Sequence, residues 1–234
     1  MFYRNVITRR GFVAGSASVL AASTGIRRSE QAFGFQSPNE RPTIGVIGCG
    51  LRWDKRVMVP KANYGLGKQF PRFGDVVAVC DVDQKRLARA GGIVKEWSSA
   101  PPMQCGDYRK VIDDKSIDVV HIVTPDHWHA KIAVEAMLSG KDVYCEKPMT
   151  LTIGEGQLIR EVQRKTGAVF QVGTQQRSTG QFIKAVAMIR DGRLGTIKKV
   201  VCGIDSSPES PRLKQAAPPA HLDWDRWLGP APKS

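Results

Sequence analysis

The segment Gly48-Cys49-Gly50-Leu51-Arg52-Trp53 follows directly on the apolar run TIGVIG at 43–48. Glycines at this spacing let the chain turn tightly at the first and let the backbone approach a pyrophosphate at the second, where the next helix N-terminus receives the charge. A second apolar run, DVVAVC at 75–80, ends at Asp81. A carboxylate there can accept hydrogen bonds from ribose hydroxyls and would repel a 2′-phosphate, so these residues point to NAD rather than NADP. Two departures stand out. Trp53 occupies the third glycine position of G-x-G-x-x-G, which predicts that the following helix packs less closely on the strand. Asp81 lies 31 residues after Gly50 rather than the usual roughly 20, and Pro60, Gly65, Gly67 and Pro71 within 54–74 predict an insertion or a broken first helix. A glycine pair alone is an ordinary turn signal; its weight comes from following the first strand, with an acid ending the second.

The elements that must position these residues alternate. Strand-like runs at 43–48, 75–80, 117–123, 142–145 and 168–172 are separated by helical patterns at 83–97, 107–112, 127–138 and 151–165, the last ended by Gly167;. Such alternation implies right-handed crossovers and an α/β, doubly wound parallel sheet of the Rossmann kind. Its ligands bind outside the carboxyl ends of the strands. The loops Thr124-Pro125-Asp126-His127-Trp128-His129 and Glu146-Lys147-Pro148 fall at two of those ends. His121, inside a strand, is expected to be a core histidine with its hydrogen bonds satisfied. A single histidine such as His127 or His129 at a helix start is ordinarily a capping or surface residue, and without a third ligand at suitable spacing the pair makes no metal site.

The chain has 234 residues, 41% hydrophobic and 24% charged, with a formal charge of +13. This composition belongs to a globular protein and excludes collagen, a coiled coil and a disordered chain. Cys49, Cys80, Cys105, Cys145 and Cys202 contain no C-x-x-C pair, so they are expected to be packing residues rather than a disulfide framework or a zinc site. Six Arg and two Glu fall within residues 1–42, so four units of the charge belong there. The remaining basic residues are scattered, without the aromatic and Lys/Arg run of a nucleic-acid partner. Arg9-Arg10 precedes a mildly apolar stretch at 11–26 that is too short to span a bilayer, and the pattern Thr8-Arg9-Arg10-Gly11-Phe12 resembles a twin-arginine export signal;. Residues 27–42 read as a linker.

The strings TPDHWHA at 124–130 and EKP at 146–148, behind a G-x-G strand, resemble the Gfo/Idh/MocA family of nicotinamide-dependent sugar oxidoreductases. So do FQVGTQQRS at 170–178, IRDGRLGTIKKV at 189–200 and LDWDRWLGPAP at 222–232. The resemblance implies a cofactor site built from Gly48, Cys49, Gly50, Leu51, Arg52 and Asp81, with Thr124, Pro125, His127 and His129 along the cleft. Glu146 would face a ribose and Gln175 would lie beside the nicotinamide. Lys147 would be the catalytic residue, contacting the reacting oxygen of the substrate. An ammonium stabilises a developing alkoxide, and partial burial would tune it for proton transfer. Pro148 would fix the turn that aims Lys147, a turn compatible with a cis bond.

These observations divide the chain into a signal and linker (1–42), a dinucleotide-binding Rossmann domain (43–173) and the start of an incomplete α+β second domain (174–234). In the second domain a helix at 179–190 and a strand at 197–204 are predicted. One strand cannot make a sheet, so its apolar face would need another chain, and a homo-oligomer is one expectation. The expected activity is NAD-dependent oxidation or reduction of a sugar or polyol. The alternatives are an NAD-dependent glycoside hydrolase of the same fold and a nucleotide-binding module without turnover.

Overall fold

A computed structural model describes residues 41–54, 67–203 and 216–232 of the chain. Its sheet has six parallel strands, β1 (Thr43–Ile47), β2 (Asp75–Cys80), β3 (Met103–Cys105), β4 (Val119–Ile122), β5 (Asp142–Glu146) and β6 (Phe170–Gly173), in the order β3-β2-β1-β4-β5-β6. The chain runs outward from β1 in one direction, returns, and runs outward in the other from β4. This reversal opens a crevice at the carboxyl ends of β1 and β4, where ligands of doubly wound sheets bind.

Alternate residues of β1 feed the two faces of the sheet, as its pleat requires. Ile44 and Val46 join a cluster with Val76, Val79 and the inner face of α1 (Gln84–Lys95), whose Ala90, Ile93 and Val94 are buried. Ile47 joins the opposite cluster with α2 (Arg109–Asp113), α3 (His129–Leu138) and α4 (Ile153–Thr166). Helix ends follow local chemistry. Asp83 caps α1 by accepting from the amides of Lys85 and Arg86, and Thr152 and Glu155 form a reciprocal capping box on α4;. Gly167 ends α4 in the left-handed region at φ 71°;.

The structure corrects four expectations. The predicted helix 127–138 divides into a single 3-10 turn at Asp126–Trp128 and α3 proper. The short strand β3 carries no alternation and was not anticipated. Residues 197–203 form no strand; after α5 (Gly180–Arg190) they run as exposed coil, with no partner strand among the described residues. In the long β1–β2 connection, Gly67–Arg72 forms a 3-10 helix, and 55–66, where the first helix would begin, lie outside the described residues. The signal and linker expectation at 1–40 lies outside them too. No described helix is long and apolar enough to cross a membrane. Cys49, Cys80, Cys105 and Cys145 are free and buried, as packing residues should be, whereas Cys202 is exposed.

The fourth correction is His121. It is buried, but neither ring nitrogen has a hydrogen-bond partner; the ring lies edge-on to Phe70 and Tyr144. Burial, with a smaller contribution from the Arg52 charge, depresses its pKa to about 3. In the unfolded chain the group would titrate near its ordinary value of roughly 6.5. The unfolded state therefore binds a proton that the native state refuses, so stability is lost as pH falls from about 6.5 towards about 3;. The loss is on the order of 4 kcal/mol across that window. His121→Leu is expected to flatten this acid dependence, read as urea midpoints at neutral and mildly acidic pH. Equal slopes in the two proteins would refute it.

Candidate functional site

At the end of β1 the chain turns through Gly48, whose φ of +92° disfavours any side chain;. Its amide donates to Cys80 O at 2.8 Å, and a Cβ there would lie 2.6 Å from the backbone carbonyl of Val123. The turn is thus pressed against β4 and needs the first glycine. Around Gly50 the space is open, since a Cβ would meet only the tip of the Arg86 side chain, at 3.2 Å. Gly50 O accepts from the amides of Trp53 and Asp54, beginning a helical turn. Trp53 points away from the crevice. It is buried, stacks on Trp97 at 6.4 Å and fills the core beneath the loop, so the missing third glycine leaves the phosphate side of the turn clear.

Asp81 ends β2 beside this turn. Its Oδ2 accepts from the Cys49 amide at 2.7 Å and its Oδ1 from the Asp83 amide at 2.8 Å. Burial pushes its carboxyl above the usual range, against the effect of those two donors. It therefore braces the glycine turn, while each oxygen keeps a lone pair for a ribose hydroxyl. Gly48, Gly50, Asp81, Thr124 and Pro125 line one cavity at the switch point, together with Tyr108, Trp128, Arg86, Arg226 and Trp227. Thr124 Oγ1 is buried without a hydrogen-bond partner. An orphaned buried hydroxyl, a Cβ-free cradle and an acid at the β2 end are what the adenosine and pyrophosphate of a dinucleotide require, so the residues fit that group.

The other predicted site residues do not line this cavity. Leu51 is exposed, and the Cys49 side chain is buried under the turn. Arg52 reaches to β5, where its Nε lies 3.3 Å from Oε2 of the buried Glu146. His127 Nε2 meets Trp227 O at 2.9 Å. His129 is the largest departure. It is 1% exposed, with Nδ1 2.6 Å from Pro148 O and Nε2 3.0 Å from Thr124 O. Its ring ties the loop after β4 to the loop after β5 and does not present a nitrogen to a ligand. Lys147 is exposed at the end of β5, followed by a cis peptide bond to Pro148, so the partial burial expected for its ammonium is not supplied by the described residues. Thr174 and Gln175 are exposed after β6.

Arg86, Tyr108, Arg226 and Trp227 also stand in the cavity wall, outside the motifs that mark the site in the sequence. Arg86 carried a detectable signal, lying five residues past the β2 acid on the first turns of α1. Tyr108 is held in place by donating to Glu135 Oε2 at 2.6 Å, and its ring meets Trp128 edge-on.

This sheet order, with its glycine turn, β2 acid and switch-point cavity, defines a dinucleotide-binding Rossmann domain of the oxidoreductase type. Residues 43–174 match the oxidoreductase family with an NAD-binding Rossmann fold called Gfo/Idh/MocA, and the chain belongs to that family. Over 230 residues it is 26% identical to a glycosyl hydrolase family 109 protein of Stenotrophomonas maltophilia, covering 95% of this chain and 47% of that protein. Over 122 residues it is 31% identical to an inositol 2-dehydrogenase of Salmonella paratyphi B, covering 52% of this chain and 35% of the enzyme. An NAD-binding oxidoreductase of Klebsiella pneumoniae superimposes with a TM-score of 0.52 at 27% identity, over 66% of this chain and 40% of that one. The chain thus spans less than half the length of these relatives.

Proposed function

We propose that this protein is an exported, NAD-dependent oxidoreductase acting on a CH–OH group of a sugar or polyol. The observation that carries the reading is the convergence of the Gly48–Gly50 turn, Asp81 and Thr124 on one cavity at the switch point of the sheet. Gly48 and Gly50 would hold the pyrophosphate, while Asp81 would accept from the adenosine ribose and discriminate against a 2′-phosphate. When bound, the nicotinamide supplies or accepts the hydride. Lys147, projecting from the end of β5, would hold the substrate oxygen and exchange its proton. His129 acts through the backbone, gripping Pro148 O and so steadying the residue after Lys147. The residues around Arg9-Arg10 support export of the folded protein, and residues 43–173 would form the nucleotide domain with 174–234 opening a second. Cell fractionation of an Arg9→Lys, Arg10→Lys variant checks the first of these, since the protein should then stay in the cytoplasm.

The direct test is binding to the full chain. NADH should raise the melting temperature, by an amount set by about 2.7 kcal/mol at one hundred times Kd, and NADPH should do so less. Gly50→Ala is the matched control. Its Cβ meets only a flexible arginine tip, so folding stability should change by no more than about 1 kcal/mol. A methyl in the pyrophosphate space should weaken NADH at least about tenfold. A chain that binds neither nucleotide would end this reading.

A second reading is favoured by one observation. The family 109 relative aligns over 95% of this chain, against 52% for the inositol dehydrogenase. In that case the same cleft would use transient oxidation to cleave a glycoside, with no net NADH formed. Release of nitrophenol from nitrophenyl glycosides without added NAD would select it, and net NADH formation on myo-inositol would select the first.

A further inference from the structure

The C-terminal segment of the described chain is built into the mouth of the switch-point cavity. Leu222 pairs with Asp83 in an isolated antiparallel bridge. Gln84 N donates to His221 O and Asp223 N to Val82 O, both at 3.0 Å. These bonds fasten one end of the segment just past Asp81. A short helix, α6 (Trp224–Leu228), follows, capped by Asp223. At its far end the carbonyl of Trp227 accepts from Trp128 Nε1 at 3.0 Å and meets His127 Nε2 at 2.9 Å, so it is fastened to the loop after β4. Gly229 lies so close on the Trp128 ring that a Cβ would fall 1.9 Å from it. The segment therefore arches from the end of β2 to the end of β4, over the half of the crevice that holds Asp81.

Two residues of the arch, Arg226 and Trp227, line the cavity beneath it. Tyr108, Pro125, Trp128 and Thr124 line the same cavity, Trp128 in direct contact with the arch through Trp227 O. Arg226 is engaged with Asp107 and Asp223, at 3.9 and 3.5 Å, so its charge is already balanced and is not reserved for an extra phosphate. Trp224 lies on the same helix and stacks on Trp227 at 4.9 Å, but it is 41% exposed and does not line the cavity.

We propose that Trp227 and Arg226 form the adenosine-side wall of the dinucleotide site, giving a planar purine an aromatic and guanidinium surface in the cavity that Tyr108 and Trp128 also line. This deepens the reading of the cleft as a dinucleotide site and rests on it. Aromatic and arginine faces hold purines by stacking irrespective of the substrate chemistry at the other end of the cofactor. The wall belongs to the adenosine half alone, so its loss weakens every ligand that carries that half.

The test titrates the full chain with ADP-ribose and with NADH by calorimetry, for wild type and three variants whose folding is checked by circular dichroism. Trp227→Ala should weaken both ligands by the same factor, about tenfold. Arg226→Gln, at an exposed position, should weaken both by about threefold or more and keeps the test available if Trp227→Ala does not fold. Trp224→Ala removes a comparable stacking partner from the same helix and should leave both affinities within about twofold. Equal losses for Trp224→Ala and Trp227→Ala would show that the arch acts only as structure and would overturn the proposal. So would wild-type affinity in both Trp227→Ala and Arg226→Gln. If the wild type binds none of NADH, NADPH and ADP-ribose, the dinucleotide reading itself fails; if it binds them and the variants bind equally well, only the wall does.

Discussion

Gly48→Ala is expected to cost roughly 3–5 kcal/mol of folding stability and to leave no measurable nucleotide binding. Two independent penalties coincide at this residue. Its φ of +92° is a conformation that L side chains rarely adopt, and the added methyl would sit 2.6 Å from the carbonyl of Val123 and 2.7 Å from the amide of Thr124. Those atoms are backbone immediately past β4, so relief requires moving the chain at a strand end and not a side chain. Movement there also shifts Thr124 and breaks the Gly48-to-Cys80 bond that sets the turn. Gly167 separates the penalties. It too has positive φ, 71°, but nothing within 4 Å of its ideal Cβ, so Gly167→Ala should cost only about 1 kcal/mol. Urea unfolding of both variants measures the difference. Since a domain of this kind is stable by roughly 5–15 kcal/mol, Gly48→Ala should bring the chain near its unfolding threshold at ambient temperature. Equal costs for the two variants would mean that the glycine turn is not pressed against β4.

β1, β2 and β4 are largely apolar, β-branched runs because both faces of a parallel sheet are covered;, and that pattern survives in one dimension. β3 is a three-residue edge strand, Met103-Gln104-Cys105, with no period to detect. The run 197–203 shows the converse: β propensity without a neighbour to pair with makes no strand. Gly48, Gly50, Asp81, Thr124 and Pro125 were legible as a site because each follows a strand end, and strand ends of such a sheet converge. His129 was placed near the cleft for the same reason, but that both of its nitrogens face backbone carbonyls depends on packing between two loops 19 residues apart. His121 illustrates the limit on polarity, since a strand pattern marks a residue as buried and carries no information on whether its ring finds partners. Trp227 reaches its place from 100 residues beyond His127, and no local rule connects them.

Lys147→Ala is expected to lower turnover by about 10²–10⁴-fold while changing NADH affinity by less than about threefold. The backbone on both sides of Lys147 is fixed. Glu146 is buried and paired with Arg52, and Pro148 O is held by His129. The Lys147 side chain itself is exposed and outside the adenosine cavity. Truncation to alanine therefore removes an ammonium without disturbing the elements that carry it, and a loss confined to kcat would place the lysine on the reacting oxygen rather than on the cofactor. Lys147→Arg sharpens this. A guanidinium keeps the charge but does not release its proton in the working range, so the variant should stay impaired at least about tenfold if proton exchange is part of the step. Full rescue by arginine would reduce the role of Lys147 to charge alone. Turnover within about threefold of wild type in Lys147→Ala would remove it from the chemistry, and a parallel loss of NADH binding would make it a cofactor contact. His129→Ala loosens the loop that carries Lys147 while leaving the ammonium present. Its expected signature is a fall in kcat smaller than that of Lys147→Ala and absent from the double variant, because a positioning residue has nothing left to position once the lysine is gone.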